Sequence, residues 1–116
     1  CALLAPNLKV DNFVGIIDFN KWQATGRSRE VTSISPLADK WDAFGWHTQE
    51  IDGHSISELI AALKSAVEFK SKPSMIIANT VKGKGVSFME DDNNWHYRTP
   101  NQSEMSKALL ELGDHQ

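Results

Sequence analysis

The segment from Asp18 to Gly26 carries the first side chains whose types and spacing could do chemistry. An apolar run ends in Asp18-Phe-Asn20, which would place two short oxygen-bearing side chains at the end of a strand. Asn20 could offer a carbonyl oxygen to a hard cation such as Mg²⁺, which prefers oxygen ligands and commonly bridges to substrate phosphates. Both residues are also turn formers that cap their own backbone, and chemistry alone favours that second interpretation.

A second candidate is the glycine- and lysine-rich string Val81-Lys-Gly-Lys-Gly85. Glycines let a backbone approach a ligand closely, and the two lysines supply positive charge. The string is neither a P-loop nor a dinucleotide fingerprint. Taken alone, it favours a solvated turn over a phosphate site.

A third candidate is His96, which stands between Trp95 and Tyr97 in a polar segment. Its side chain could act as a general acid or base because the pKa of histidine lies near neutrality. A surface or packing role is an equal alternative. His47, inside a predicted strand, and His54, at a helix entrance, are expected to be structural, and His115 is expected at a frayed chain end.

The elements that must position these residues alternate between strands and helices. The segments 13–19, 46–51 and 74–79 are predicted to be strands. The first is a continuous apolar run, as expected of a strand buried on both faces. Residues 20–35 form a polar loop. Residues 1–5 look like the last turn of a helix that stops before Pro6 and begins ahead of Cys1.

Three further helices are predicted from their caps. Ser35 is the expected N-cap of a helix with Pro36 in its first turn and Gly45 at its end. Ser55 and Glu58 form a capping box before a helix that ends ahead of Pro73, and Pro100 opens the last helix. The second of these helices carries an apolar stripe of Ile56, Leu59, Ile60, Leu63 and Val67.

This order predicts an α/β fold, a parallel doubly wound sheet with flanking helices. Ligands bind such sheets beyond the carboxyl ends of the strands, at the loops 20–26, 52–54 and 81–85. No repeat or domain linker interrupts the 116 residues, which fit a single domain.

Composition excludes several classes of protein. The formal net charge of -3 argues against a nucleic-acid binder, and no apolar run approaches the roughly 18 residues that span a membrane. Cys1, the single cysteine, excludes an internal disulfide and fits a reducing compartment, so a cytoplasmic protein is expected. A chain this short leaves apolar surface uncovered, which favours a partner protein.

The order of the motifs resembles transketolases, most strongly their separately encoded N-terminal subunits in many bacteria and archaea. The resemblance covers nearly the whole chain. Its specific part is Lys82-Gly-Lys-Gly-Val-Ser-Phe-Met89 followed by Trp95-His96. Supporting segments are Lys9-Val-Asp-Asn-Phe13, Asp18-Phe-Asn20-Lys21, Phe44-Gly-Trp46, Asp52-Gly-His54 and Lys72-Pro73.

The resemblance implies that residues 1–116 are the C-terminal portion of a thiamine-diphosphate-binding domain. Asn20 would hold Mg²⁺ (or Ca²⁺) through its side-chain oxygen, and the backbone carbonyl of Trp22 would supply another ligand. Ala24 would make an apolar contact near the cofactor, and the turn at Lys82 and Gly83 would lie against it. His96 would approach the diphosphate and the reacting sugar and assist proton transfer.

The implied activity is transfer of a two-carbon ketol unit from a ketose phosphate to an aldose. The activating glutamate of the family comes from a pyrimidine-binding domain on another chain, so the expected partner is the C-terminal transketolase subunit. The expected assembly is a heterotetramer or a homodimer of such pairs. Without that partner, the polypeptide is expected to be inactive.

Two departures from the family pattern stand out. The Gly-Asp-Gly half of the cofactor motif, whose Asp is a metal ligand, is expected ahead of Cys1, so the chain as given does not complete the metal site. The family usually has Gly after the Trp-His pair, whereas Tyr97 follows here. A bulky ring at this position would narrow the entrance or alter substrate choice.

Three other interpretations compete. A related thiamine-diphosphate enzyme such as 1-deoxyxylulose-5-phosphate synthase shares part of the pattern. A subunit that has lost catalysis and serves assembly would also fit Tyr97 after His96. A nucleotide-binding Rossmann domain is the weakest alternative, because no Gly-x-Gly-x-x-Gly follows any strand.

Overall fold

A computed structural model describes residues 1–113, so the predicted frayed end at His115 lies outside the described residues. Its main sheet has three parallel strands in the order β1 (Val14–Phe19), β5 (Ser74–Asn79) and β4 (His47–Asp52). The helices are α1 (Leu4–Asn7), α2 (Ser28–Val31), α3 (Leu37–Ala43), α4 (Ile56–Glu68) and α5 (Gln102–Glu111). None of the helices in residues 1–113 is long and apolar enough to cross a membrane.

The central strand β5 is covered on both faces, as expected of a doubly wound sheet, but β1 is not. Ile16 of β1 is 55% exposed in residues 1–113, so the expectation that this first strand is buried on both faces is wrong. Met75 and Ile77 of β5 point to one face, where they pack with Trp46 and the residues of α3. Ile76, between them in sequence, points to the other face and packs against Ala62 and Ala66 of α4. Since successive side chains of a strand alternate between faces, the middle of β5, from Met75 to Ala78, is apolar at every position, and the predicted fold class is confirmed.

The predicted apolar stripe of α4 does not face the sheet of this chain. Ile56 and Val67 are 68% and 62% exposed, and Ile60 and Leu63 are also exposed. The side buried on the sheet is instead formed by Ala62 and Ala66, because only small side chains let this helix lie close to β5. The stripe therefore leaves an apolar surface uncovered in residues 1–113.

The first helix differs from its prediction. Pro6 does not end it but lies within α1, in the first turn, where the missing N–H would have no partner in any case. The helix therefore begins at Leu4 rather than ending at Ala5. Cys1 is exposed at its start, and its carbonyl accepts the Leu4 N–H at 3.1 Å.

The caps of α3 are only partly as predicted. Pro36 has an extended conformation, with ψ at 125°, so it is the N-cap itself, and no side-chain hydrogen bond caps this end. The expectation that Ser35 is the N-cap is therefore wrong by one residue. The other end is as predicted: Gly45 follows Phe44 with φ at +95°, the left-handed conformation that ends helices.

The capping box of α4 is half formed. Ser55 Oγ accepts the backbone N–H of Glu58 at 3.3 Å, as predicted. The Glu58 carboxylate instead accepts the Asp52 N–H at 2.9 Å, so it fastens the helix to the end of β4.

A complete capping box occurs at α5. Asn101 and Glu104 form it, one residue after the predicted start at Pro100.

Three elements were not predicted. Residues of the expected polar loop form a small antiparallel hairpin of β2 (Trp22–Gln23) and β3 (Gly26–Arg27), followed by α2. A short 3₁₀ helix spans Asn93–His96. These elements are too short to show a hydrophobic period, and they matter because two of them contain predicted site residues.

Candidate functional site

The carboxyl ends of the three parallel strands border a shallow cleft of about 510 Å³ that is widely open to solvent. Each of the three loops predicted to surround a ligand contributes to its wall. The lining residues include Asp18, Asn20, His54, Thr80, Lys82 and Gly83. The structure therefore brings together Asn20, Lys82 and Gly83, while Trp22, Ala24 and His96 lie outside this cleft wall.

Asn20 follows β1 and is oriented by hydrogen bonds on both sides of its amide. Its Oδ1 accepts the backbone N–H of Trp22 at 2.9 Å, and its Nδ2 donates to Asp18 Oδ2 at 3.3 Å. Because a backbone N–H requires an acceptor, the first contact fixes which atom is the oxygen. An amide oxygen has two lone pairs, so the turn-forming role and a metal-ligand role are compatible at this atom.

Lys21 fixes the backbone between Asn20 and Trp22. It has a left-handed conformation, with φ at +70°, and its ammonium group donates to the Phe19 carbonyl at 2.9 Å and to Asn79 Oδ1. Asn79 in turn donates to Glu50 Oε1 at 2.8 Å, so one network joins the ends of all three strands. Burial lowers the pKa of Lys21, an effect that the nearby carboxylates partly offset.

The hairpin that contains Trp22 is held by Asp91, which lies far away in sequence. Arg27 forms a bidentate ion pair with the Asp91 carboxylate, and the Trp22 indole N–H donates to the same group at 2.9 Å. The guanidinium of Arg27 also lies 3.8 Å from the centre of the Trp22 ring. The hydrogen bond from Arg27, and then that from Trp22, holds the pKa of Asp91 below its ordinary value.

The tip of the same hairpin contacts two further residues of the polar segment. Asn93 Nδ2 donates to the carbonyls of Gln23 and Ala24, at 3.2 and 3.1 Å. The hydroxyl of Tyr97 donates to the Ala24 carbonyl as well. Ala24 is therefore held through its backbone, with its methyl group exposed.

The turn at Lys82 and Gly83 forms the opposite wall of the cleft. A glycine at position 83 was expected to let the backbone approach a ligand closely. The structure gives another reason for a glycine at this position. A Cβ atom at Gly83 would lie 2.5 Å from the Met89 carbonyl oxygen, and φ is +72°, so its own chain requires the glycine. The Lys82 carbonyl accepts the Asp91 N–H at 2.8 Å, which connects this turn to the residue that holds the hairpin.

Two of the histidines, His54 and His47, make the kind of structural contacts that the sequence suggested. His54 Nε2 accepts the Val81 N–H at 2.8 Å, a contact that ties the turn to the end of β4. His47, at the start of β4, stacks on Phe69 with ring centroids 4.0 Å apart. His96 is exposed at the end of the 3₁₀ helix, and its ring lies edge-on to Tyr97 at 4.8 Å.

Comparison with known proteins decides which family this architecture represents. Residues 1–115 match the family described as transketolase, thiamine diphosphate binding domain. The chain belongs to this transketolase family. The assignment confirms the resemblance inferred from the motifs and supports a thiamine-diphosphate-binding domain.

Curated relatives of the family are longer proteins. The chain is 40% identical over 111 residues to the 6-deoxy-6-sulfo-D-fructose transketolase subunit of a Clostridium strain, covering 96% of this chain and 40% of that protein. It is 40% identical over 113 residues to an apulose-4-phosphate transketolase subunit of Actinobacillus succinogenes, covering 97% and 41%. The chain thus spans about two fifths of the length of these transketolase relatives.

Solved structures of transketolases share the fold. The transketolase of Campylobacter jejuni superposes with a TM-score of 0.89 at 28% identity, over 97% of this chain and 17% of that one. The transketolase of Leishmania mexicana superposes with a TM-score of 0.88 at 24% identity, which supports the fold alone. The predicted parallel α/β fold of a thiamine-diphosphate-binding domain is therefore confirmed.

Sequence reasoning missed the residues that hold the site in place. Arg27, Asp91 and Asn93 lie outside the motifs, and Lys21 lies inside one but was given no role; each has a partner elsewhere in the chain. One signal was available, since Asp91 and Asn93 occur only a few residues before His96. Among residues 1–113, no group of three or more His, Cys, Asp and Glu side chains is arranged to hold a metal ion.

Proposed function

We propose that this chain is the cofactor-binding part of a transketolase subunit that transfers a two-carbon ketol unit from a ketose phosphate to an aldose. The observation that carries the proposal is the cleft at the carboxyl ends of the strands, where Asn20 faces the turn of Lys82 and Gly83. Family membership supports the cofactor. When bound, thiamine diphosphate supplies the carbanion chemistry of the reaction.

The donor atoms of the Asn20 turn fit a hard divalent cation. The Asn20 side-chain oxygen and the Trp22 carbonyl are neutral oxygen ligands, which Mg²⁺ and Ca²⁺ accept. Lys21 and the Trp22 N–H hold this turn in one conformation, which supports a ligand role because metal ligands need fixed geometry. Two such ligands are too few, so the remaining positions would be filled by the diphosphate and by other ligands.

The remaining predicted residues have roles around the cofactor. Lys82 lies in the cleft wall and would place a positive charge near the diphosphate, while Gly83 keeps that turn in its left-handed conformation. Ala24 presents its exposed methyl group at the hairpin tip. His96 would donate or accept a proton at an oxygen of the sugar, a role supported by its exposure and by its place on the segment that contacts the hairpin.

A partner chain is part of the proposal. The Clostridium and Actinobacillus relatives are both named as subunits, which supports a second subunit that supplies the pyrimidine-binding domain. The exposed apolar stripe of α4 is further support for contacts beyond residues 1–113. The assembly would be a heterotetramer or a homodimer of such pairs, and ketose phosphates would be its donors.

The experiment is calorimetric titration of thiamine diphosphate into the full-length protein with its partner subunit, with and without Mg²⁺. We expect metal-dependent binding in the wild type and at least about tenfold weaker binding in Asn20→Ala, because a ligand to the metal is removed. Asn7→Ala is the matched control. Asn7 is an exposed asparagine on α1 whose amide donates to the Leu3 carbonyl, away from the cleft.

Each outcome decides one part of the proposal. Equal affinities for thiamine diphosphate in the wild type and Asn20→Ala would mean that Asn20 does not bind the metal. The proposed cofactor would be unaffected by that result. A folded wild-type complex that binds no thiamine diphosphate would overturn the enzymatic proposal and favour the assembly role.

A further inference from the structure

The segment from Asp91 to Tyr97 binds the β2–β3 hairpin at several points. Asp91 holds its base through Arg27 and the Trp22 indole. Asn93 and Tyr97 hold its tip through backbone carbonyls. Every one of these contacts joins residues more than sixty positions apart in the chain, so the hairpin's place depends on this segment.

Tyr97 differs from the other members of this set because its side chain is largely open to solvent. It is 68% exposed, so burial of its ring contributes little to holding it in place. Its hydroxyl contacts the Ala24 carbonyl, and its ring contacts His96 edge-on at 4.8 Å. One side chain thus touches both the cofactor-side hairpin and the neighbouring histidine.

We propose that Tyr97 is a positioning residue that fastens the β2–β3 hairpin to the segment carrying His96 before the cofactor binds. The inference rests on the proposed function, in which Trp22 and Ala24 of the hairpin contact metal and cofactor. A binding loop that is already held in its bound arrangement costs less to order on binding, so the affinity for the ligand rises. Removing the hydroxyl should therefore weaken cofactor binding without removing any cofactor contact.

Tyr97→Phe tests this directly, because it removes the hydroxyl and keeps the ring beside His96. Amide hydrogen exchange of residues 22–27 is measured in the full-length protein in its native assembly, first without cofactor. Affinity for thiamine diphosphate with Mg²⁺ and turnover at saturating cofactor are then measured on the same preparations. Ser106→Ala is the matched control: this exposed hydroxyl also donates to a backbone carbonyl, that of Gln102, but on α5.

We expect hairpin exchange in Tyr97→Phe to rise about two- to tenfold, the range that follows from the net loss of one hydrogen bond. Affinity for the cofactor should fall by no more than this factor, because it follows the fraction of molecules in which the hairpin is held. Turnover at saturation should fall less, because bound cofactor helps to hold the hairpin. Ser106→Ala should leave all three quantities at wild-type values. Exchange of the β5 amides should not change in either variant, which checks that the fold is intact.

Three results would overturn the inference. Hairpin exchange at the wild-type rate would mean that the Tyr97 hydroxyl does not hold the hairpin. Faster exchange with unchanged affinity would mean that the hairpin does not need to be held for binding. A fall in turnover with affinity unchanged would assign Tyr97 to the substrate instead. A wild type that binds no cofactor would overturn the proposed function itself, and this is seen before any variant is compared.

Discussion

The hairpin of residues 22–27 and the turn of residues 81–85 lie at the same end of the sheet, yet they are held in different ways. The turn has backbone hydrogen bonds of its own, from Lys84 N–H to the Val81 carbonyl and from Val86 N–H to the Gly83 carbonyl, both 3.2 Å. Two side chains add to them, since His54 accepts the Val81 N–H and Glu90 accepts the Gly85 N–H. The hairpin is held by side chains, and Arg27 pairs with Asp91 across 64 positions of sequence. The conformation of a loop held by its own backbone depends on neighbouring residues. The position of a loop held by side chains depends on residues in two distant parts of the sequence.

The difference predicts how each region fails. A loop held by its own backbone tolerates side-chain changes but not a change of backbone conformation, because each hydrogen bond depends on the dihedral angles beside it. A loop held by side chains loses its place when one distant partner is removed, although its own conformation is still allowed. Substitutions in the two regions should therefore differ in size and in what they disturb.

The largest effect is expected from Gly83→Ala. The left-handed conformation alone costs an L residue about 1–2 kcal/mol, and the new Cβ would meet the Met89 carbonyl oxygen, which must then move. Gly113→Ala is the matched control: its φ is +82°, and within residues 1–113 the added Cβ would have no atom within 4 Å apart from those of residue 113 and its chain neighbours. We expect a clearly larger loss of unfolding free energy for Gly83→Ala, measured by denaturant titration. Equal losses would mean that the turn accommodates the added methyl group.

The same contrast explains what the sequence reveals of the fold. The bounds of the strands were predicted to within one residue. A short apolar run such as the one within 74–79 indicates a buried strand without reference to the rest of the chain. Gly45 marked the end of α3 for the same local reason. The face of α4 that packs on the sheet could not be predicted, because an apolar stripe indicates that a surface is covered but not what covers it. In residues 1–113 the sheet takes the alanines and leaves Ile56 and Val67 exposed.

The candidate site was predictable only in part. Residues in local motifs were found, and residues that act through distant partners were not. Asn20, Lys82 and Gly83 lie in segments that a family motif identifies, and all three line one cleft. The roles of Lys21 and Asp91 were not predicted, because neither a family segment nor closeness to His96 tells which distant residue a charged side chain contacts. Local patterns predicted residues that line one cleft, while the groups that hold those residues in place appear only in three dimensions.

A smaller effect is expected from exchanging the carboxylates of two adjacent residues for amides. Asp91 belongs to the hairpin contacts, while Glu90 accepts the Gly85 N–H at 3.0 Å and pairs with Lys84, so it belongs to the turn. Asp91→Asn should speed amide exchange in residues 22–27 and leave the turn unchanged. Glu90→Gln should speed exchange at Gly85 and leave the hairpin unchanged.

Both pairs are solvent-exposed, so global stability should change little in either variant, and the local exchange rates are the informative measurement. Asp91→Asn and Glu90→Gln serve as controls for each other because they are neighbours in the chain and differ only in the region they contact. If either variant loosened both regions, the hairpin and the turn would be a single unit, and the comparison between them would be wrong.

The smallest effect is a pH dependence of individual hydrogen bonds. Hydrogen bonds to Arg27 and Trp22 lower the pKa of Asp91, and the Gly85 N–H, followed by Lys84, lowers the pKa of Glu90. Because both folded pKa values are lowered, each contact is fully present above the ordinary values of 3.8 and 4.5 and is lost as the pH falls through the lowered ones. The NMR signals of the Trp22 indole N–H and the Gly85 amide report the two carboxylates directly. In Asp91→Asn the indole signal should no longer titrate while the Gly85 signal still does, and an indole midpoint at or above 3.8 would show that Arg27 does not stabilise the Asp91 carboxylate.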